Sequence, residues 1–146
     1  MIEKGQTAPD FEAPDQDGKP FRLSSLKGSP VVLYFYPKAD TPGCTIEAKG
    51  FRDAVPEFRA HHVAIVGVSA DDCPAQKAFH GKYGLNFPLV ADSAKKVGAL
   101  YGVLHPGGHE RRVSFLIGAD GKVVDVVDGA PPDAHVARAR ATFLGK

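Results

Sequence analysis

No stretch of this chain is apolar for long enough to span a bilayer, and its start, Met1-Ile2-Glu3-Lys4-Gly5, carries no run of signal-peptide length. A cytoplasmic protein with no membrane partner is expected. Charge of either sign is not in excess, since 18 basic side chains face 17 acidic ones for a net charge of +1. No general field then draws the chain to nucleic acid, and small neutral substrates suit it as well. Cysteine is scarce, with two in 146 residues. That excludes a disulfide-stapled scaffold, and a chain of this length buries roughly two thirds of its unfolded surface without one. In a reducing compartment Cys44 and Cys73 read as reactive or buried thiols. The chain also lacks internal repeats, low-complexity tracts and linkers, so residues 1–146 are expected to form one domain. Its six histidines, among them His61-His62 and the pair His105 and His109, form no dense cluster with carboxylates or thiols, and no metal site is expected. Gly107-Gly108 is not a phosphate loop, because no G-x-x-x-x-G-K-[ST] pattern occurs.

What is present is an alternation of strand and helix signals. Asp17-Gly18 separates short segments around Phe11 and Phe21-Arg22-Leu23, the pattern of a small hairpin at an edge. Val31 to Tyr36 is apolar without alternation, as in a strand covered on both faces, and Pro37 stops it for want of a ladder donor. Ala48, Phe51, Val55 and Phe58 then mark one face of a helix that starts near Pro42 or Gly43, with Pro56 expected to kink or end it. A second apolar strand, Val63 to Ser69, leads through Asp71-Asp72 and Pro74 into a helix reaching Tyr83-Gly84. Phe87 to Val90 is a short strand ahead of a helical turn from Lys95 to Tyr101. Val113–Ile117 and Lys122–Val127 flank Asp120-Gly121, the strongest hairpin signal, and Pro131-Pro132 opens a closing helix. Parallel units first and an antiparallel hairpin last predict an α/β fold: a thioredoxin-like three-layer sandwich with a mixed central sheet flanked by helices, plus an N-terminal β-hairpin.

The segment from Tyr34 to Ala48 places one cysteine where a strand hands over to a helix. The first N–H groups of a helix have no internal partner and carry roughly half a positive charge, so a cysteine at that place is stabilised as its thiolate. Thr41, three residues before Cys44, can turn its hydroxyl toward the sulfur or a substrate oxygen, while Pro37 and Pro42 stiffen the loop. A nearby cation would favour the anion further, and Arg111 or Arg112, entering the strand Val113–Ile117, can supply it. Glu47 lies one turn beyond Cys44 on the same helical face, where a bare carboxylate opposes a thiolate. An arginine bridging Glu47 and the sulfur would resolve that conflict. Taken singly, Thr41 is an ordinary turn residue, Pro37 a strand terminator and Glu47 a surface residue. Proline, glycine and threonine around Cys44 make a poor core environment and a good exposed helix start. For Cys73, at a second helix start, a reactive thiol and a buried filler fit the sequence equally well.

Pro37, Thr41 and Cys44 stand in the pattern P-x-x-x-T-x-x-C, and with Gly5 to Phe11 and Arg112 to Ile117 they resemble the peroxiredoxins, in particular the bacterioferritin comigratory protein or Q subfamily. The resemblance covers nearly the whole chain and implies a thiol-dependent peroxidase acting on hydrogen peroxide and organic hydroperoxides. It implies Cys44 as the attacking thiolate, Thr41 and Arg112 as holders of the peroxide oxygens, Pro37 as a shield and Glu47 as the group that orients Arg112. It requires no metal, haem or flavin, and it suggests a monomer recycled by thioredoxin or another thiol. One departure concerns recycling. Positions that carry a resolving cysteine in many relatives hold Lys49 and His80 here. Cys73 is then the candidate partner for a Cys44–Cys73 disulfide, and direct attack by an external thiol is the other route. A thioredoxin-type disulfide oxidoreductase needs C-x-x-C, and Thr41 replaces its first cysteine. A peroxide sensor would use the same site without turnover.

Overall fold

The computed structural model describes residues 1–146. Its strands are β1 (Glu12–Pro14), β2 (Pro20–Arg22), β3 (Val31–Phe35), β4 (Ala64–Ser69), β5 (Leu89–Ala91), β6 (Val113–Ile117) and β7 (Val123–Asp128). Its helices are α1 (Pro42–Ala60), α2 (Cys73–Lys82), α3 (Lys96–Tyr101) and α4 (Pro132–Leu144), with a 3-10 turn over Leu23–Leu26. The main sheet runs β5-β4-β3-β6-β7. Pairs β3 with β4 and β4 with β5 are parallel, while β6 runs against β3 and β7 against β6. The mixed sheet with the apolar run Val31–Phe35 at its centre is the one expected.

Alternation along β3 divides the core into two layers. Val32, Tyr34 and Tyr36 join Ala48, Phe51, Val55 and Phe58 of α1, Phe79 of α2 and Ala139 of α4 on one face. Val31, Leu33 and Phe35 pack on the other against Val97 and Tyr101 of α3, with Phe11 and Leu23 from the N-terminal arm. The same alternation in β6 sets Leu116 on the α1 face and Val113, Phe115 and Ile117 on the α3 face. Ser114, two residues before Leu116, therefore shares the α1 face, and so does Arg112.

The N-terminal hairpin pairs Glu12 with Arg22 and turns through Gly18 at φ 76°. It lies beside β5, where Asp15 bridges Val90 and the Gln16 side chain accepts from the Leu89 N–H at 3.0 Å. The hairpin thus covers an edge whose unpaired groups would otherwise invite another strand.

Pro56 neither ends nor breaks α1, which continues to Ala60. A proline in a helix leaves the carbonyl four residues earlier without its donor. Here that carbonyl is Arg52's, and the Asn86 amide donates to it at 3.3 Å. Pro56 itself is exposed, so its ring meets solvent on the outer face of the helix.

Candidate active site

The C-terminal end of β3 delivers the chain to the site. Tyr36 adds one more rung, its N–H donating to the Val68 carbonyl at 3.0 Å, and Pro37 has no N–H with which to continue. The following loop is held from two sides. The Ala39 N–H donates to Asp71 Oδ2 at 2.8 Å, which also takes the Ser69 hydroxyl at 2.6 Å. Asp40, in the left-handed region at φ 61°, accepts from Tyr83 Oη at 2.7 Å and Lys82 Nζ at 2.9 Å. Residues 38–41 are thereby tied both to the loop after β4 and to the far end of α2.

The start of α1 is left open. Thr41 precedes the first helical residue, Pro42, with extended backbone at φ −88° and ψ 157°, but its side chain makes no capping bond. Its hydroxyl instead donates to the Lys38 carbonyl at 2.8 Å, so in this arrangement the oxygen's lone pairs, not its hydrogen, remain for a neighbour. The first backbone bond runs from the Thr45 N–H to the Thr41 carbonyl at 2.8 Å. The N–H groups of Gly43 and Cys44 find no acceptor within the chain. Cys44 is not exposed as the sequence suggested: it sits among them at 1% exposure, because its side chain turns inward to the apolar cluster of Tyr36 and Ala48.

Arg112 reaches this helix start from the entry to β6. Its Nη2 lies 3.5 Å from Cys44 Sγ, and its Nη1 donates to Glu47 Oε1 at 2.7 Å. A Cβ on Gly43 would stand 2.9 Å from Nη2, so glycine there allows the guanidinium to approach the helix. Glu47 is fully buried, and burial pushes its carboxyl up to about 8 even though Arg112 acts in the opposite direction. Its second oxygen, Oε2, has no hydrogen-bond partner. His135, buried on α4, stands 3.7 Å from that oxygen through Nδ1. Burial pushes the imidazole down to about 4 and so holds it neutral. Chemically, the arrangement offers a sulfur at an open helix start, unpaired N–H donors and one guanidinium shared between the sulfur and a carboxyl.

A sequence model of the AhpC/TSA family matches residues 4–126, more than four fifths of the chain. The chain belongs to the AhpC/TSA family. Among its relatives, peroxiredoxin Bcp of Escherichia coli K12 is 39% identical over 143 residues, covering 92% of this chain and 90% of that protein. The chloroplastic peroxiredoxin Q of Populus jackii is 47% identical over 102 residues, 70% of this chain, and the match spans 48% of that longer protein. The crystal structure of peroxidoxin BcpB from Mycobacterium tuberculosis superimposes with a TM-score of 0.93 at 41% identity, covering 99% of this chain and 98% of the other. The thioredoxin-like fold expected from the sequence is the fold these peroxiredoxins share.

In this AhpC/TSA member the sequence candidates fall into two groups. Pro37, Thr41, Cys44, Glu47 and Arg112 converge at the carboxyl end of β3. Arg111, the alternative cation, turns to the other side and forms a two-pronged pair with Asp128 at 2.6 Å to each oxygen. Cys73 is the first residue of α2, partly exposed, and both thiols are free. Tyr36 packs in the same apolar cluster as Cys44 and donates through Oη to Gln76, one turn beyond Cys73, at 2.6 Å. Lys49 is exposed with Nζ 6.0 Å from the Tyr83 ring centre, and His80 lies in the last turn of α2. Ser114 and His135 were not among the sequence candidates. A lone serine in an apolar strand and a lone histidine behind two prolines carry no local signal, and only the fold brings them to Glu47.

Proposed function

We propose that this peroxiredoxin is a thiol-dependent peroxidase acting on hydrogen peroxide and organic hydroperoxides with Cys44 as its nucleophile. The Cys44 thiolate attacks the terminal oxygen of R–O–O–H. An S–O bond forms as the O–O bond breaks, sulfur gives up two electrons and the departing RO⁻ takes a proton from solvent, leaving a Cys44 sulfenic acid. The unpaired N–H groups of Gly43 and Cys44 and the Arg112 guanidinium hold the peroxide oxygens and stabilise charge on the leaving one, while the lone pairs of Thr41 accept from the hydroperoxide O–H. Pro37 closes the loop over the sulfur, and Glu47 orients Arg112. The observation that carries this reading is Arg112 Nη2 at 3.5 Å from a sulfur placed at an open helix start.

For the return half, attack by the Cys73 thiolate on the sulfenic sulfur releases hydroxide and gives a Cys44–Cys73 disulfide, which thioredoxin or a comparable dithiol then reduces. A disulfide needs the two Cα atoms within roughly 7 Å, so a buried Cys44 must leave its pocket by local unwinding of the first turn of α1. The ties from Ala39 to Asp71 and from Asp40 to Lys82 and Tyr83 resist that motion. Direct attack by an external thiol on Cys44 is the second route, and it too requires the buried sulfur to be uncovered. We read the enzyme as a cytoplasmic monomer; separately, no helix is long and apolar enough to cross a membrane.

Peroxide consumption with thioredoxin and its reductase tests the activity, which is expected to be catalytic and to vanish in Cys44→Ser. Intact mass after one equivalent of peroxide separates the two routes. Loss of two hydrogens in the wild type but not in Cys73→Ser supports the internal disulfide; a gain of oxygen in both, with unchanged turnover, eliminates it. Stoichiometric oxidation that no thiol reverses would indicate a sensor.

A further inference from the structure

Behind the guanidinium, Glu47 is backed by two further buried polar side chains to which the peroxide chemistry gives no role. Glu47, Ser114 and His135 are each fully inaccessible. His135 Nε2 lies 3.1 Å from the Ala130 carbonyl, which can only accept, so Nε2 carries the ring hydrogen and Nδ1 presents a lone pair. Ser114 Oγ, 2.7 Å from Nδ1, then donates to it. The unpartnered Oε2 of Glu47 faces that same nitrogen at 3.7 Å. Two acceptor atoms therefore face each other in a buried site. The Nδ1 lone pair is already taken by Ser114, so the 3.7 Å approach is no hydrogen bond; it repels an anionic Oε2 and favours the neutral carboxyl.

We propose that His135, with Ser114, is a positioning residue for the reaction at Cys44: its neutral Nδ1 face keeps Glu47 from competing with the sulfur for Arg112. The proposal rests on the reading of Cys44 as the reactive thiol. An ionised Glu47 holds the guanidinium through Oε1 and repels a thiolate one turn away, whereas a protonated one leaves the full charge of Arg112 to the sulfur. The groups facing Glu47 are Cys44 on its own helix, Tyr34 from β3, Arg112 at the entry to β6 and His135 from α4, with Asp128 at the end of β7 acting on His135. His135 Nδ1 stands 3.7 Å from Oε2, and the unpartnered Tyr34 hydroxyl also faces this group. Burial raises the Glu47 carboxyl and lowers the imidazole, the same pair of protonation states that this geometry favours.

The test uses two readouts on the full chain in a Cys73→Ser background: the pH at which Cys44 alkylation by iodoacetamide is half-maximal, and the rate constant with hydrogen peroxide. His135→Gln keeps a donor for the Ala130 carbonyl but loses the acceptor at Nδ1. It is expected to move the alkylation midpoint up by about one pH unit and slow the peroxide reaction ~10-fold below that pH. His135→Asn loses the Ala130 link but keeps an acceptor near Nδ1, and is expected to restore the midpoint. Ser114→Ala, a small change, frees Nδ1 for the Glu47 proton and is expected to move the midpoint down. A merely structural histidine predicts the reverse ranking, with Gln tolerated and Asn damaging. Unchanged midpoints in both His135→Gln and Ser114→Ala, or upward shifts of equal size in all three variants, overturn the proposal. Should Cys44 alkylate normally yet ignore peroxide, the peroxidase reading fails, while the midpoints still judge His135.

Discussion

Two helices of this peroxiredoxin begin with a cysteine in their first turn, at the carboxyl ends of neighbouring parallel strands, and their starts are built in opposite ways. At α2 the Asp72 side chain accepts from the Ala75 N–H at 2.9 Å, so a carboxylate occupies one of the donors near Cys73. At α1 Thr41 turns its hydroxyl away to Lys38, and the N–H groups of Gly43 and Cys44 stay unpaired. A cation follows the same division, with Arg112 at 3.5 Å from Cys44 Sγ. A helix start is a general electrostatic feature, and what stands in the cap position decides whether it serves the helix or the thiol. The stability that a cap would contribute at α1, about 1 kcal/mol, is forgone where the unpaired donors are needed.

The largest effect expected is a complete division between the thiols. Cys44→Ser abolishes the single-turnover reaction with peroxide, followed by rapid quench and intact mass, whereas Cys73→Ser changes that first step less than about twofold. Next, Arg112→Met removes the guanidinium shared by sulfur and Glu47, and the peroxide rate constant is expected to fall by ~10²-fold. Thr41→Asp would make α1 begin as α2 does. The helix should gain about 1 kcal/mol in chemical denaturation while the peroxide reaction slows at least ~10-fold, because a carboxylate now takes the donors and opposes the thiolate. A Thr41→Asp enzyme that reacts at the wild-type rate would break the comparison.

A pH series sharpens it from another side. Glu110, fully buried with both oxygens unpartnered, is pushed up to about 9, by burial first and then by Asp92. Unlike Glu47 it has no cation beside it. The unfolded chain releases this proton near the ordinary 4.5, so between 4.5 and about 9 the folded state holds a proton that the unfolded state has lost. Stability conferred by the neutral form is whole below 4.5 and declines as pH rises toward 9. Glu110→Gln, which cannot ionise, should flatten that decline. Thermal midpoints at pH 5 and pH 8 would show it, with the variant gaining on the wild type at the higher pH. His135 works in the reverse sense: pushed down to about 4, it makes stability fall as pH drops from 6.5 toward 4.

How much of this was legible beforehand depended on how local the signal was. The unbroken apolar run Val31–Phe35 announces a central strand, and Asp120-Gly121 a hairpin, because periodicity and turn chemistry act over a few residues. Cys44 at a helix start was legible for the same reason. The fate of Pro56 was not, since the carbonyl it strands on Arg52 is met by Asn86, 34 residues away. Nor was the true partner of the Thr41 hydroxyl, which depends on how Asp71, Lys82 and Tyr83 fold the loop back. Glu47 and Arg112 are 65 positions apart, and the pair was anticipated only from the need to neutralise a carboxylate one turn from a thiolate. Ser114 and His135 met no such need that the sequence could express.

The smallest effect expected tests the α2 side alone. Asp72→Ala removes the side chain that accepts from the Ala75 N–H, and a lost cap of this type costs about 1 kcal/mol. With that carboxylate gone, the first turn of α2 presents unpaired donors beside a partly exposed thiol, and alkylation of Cys73 by iodoacetamide should quicken. The single-turnover reaction of Cys44 with peroxide should not change, because no tie holding residues 38–41 passes through Asp72. Those ties run through Asp71, Lys82 and Tyr83. A Cys73 that gains no reactivity when its cap is removed would show that the difference between the two starts lies in Arg112 rather than in the cap.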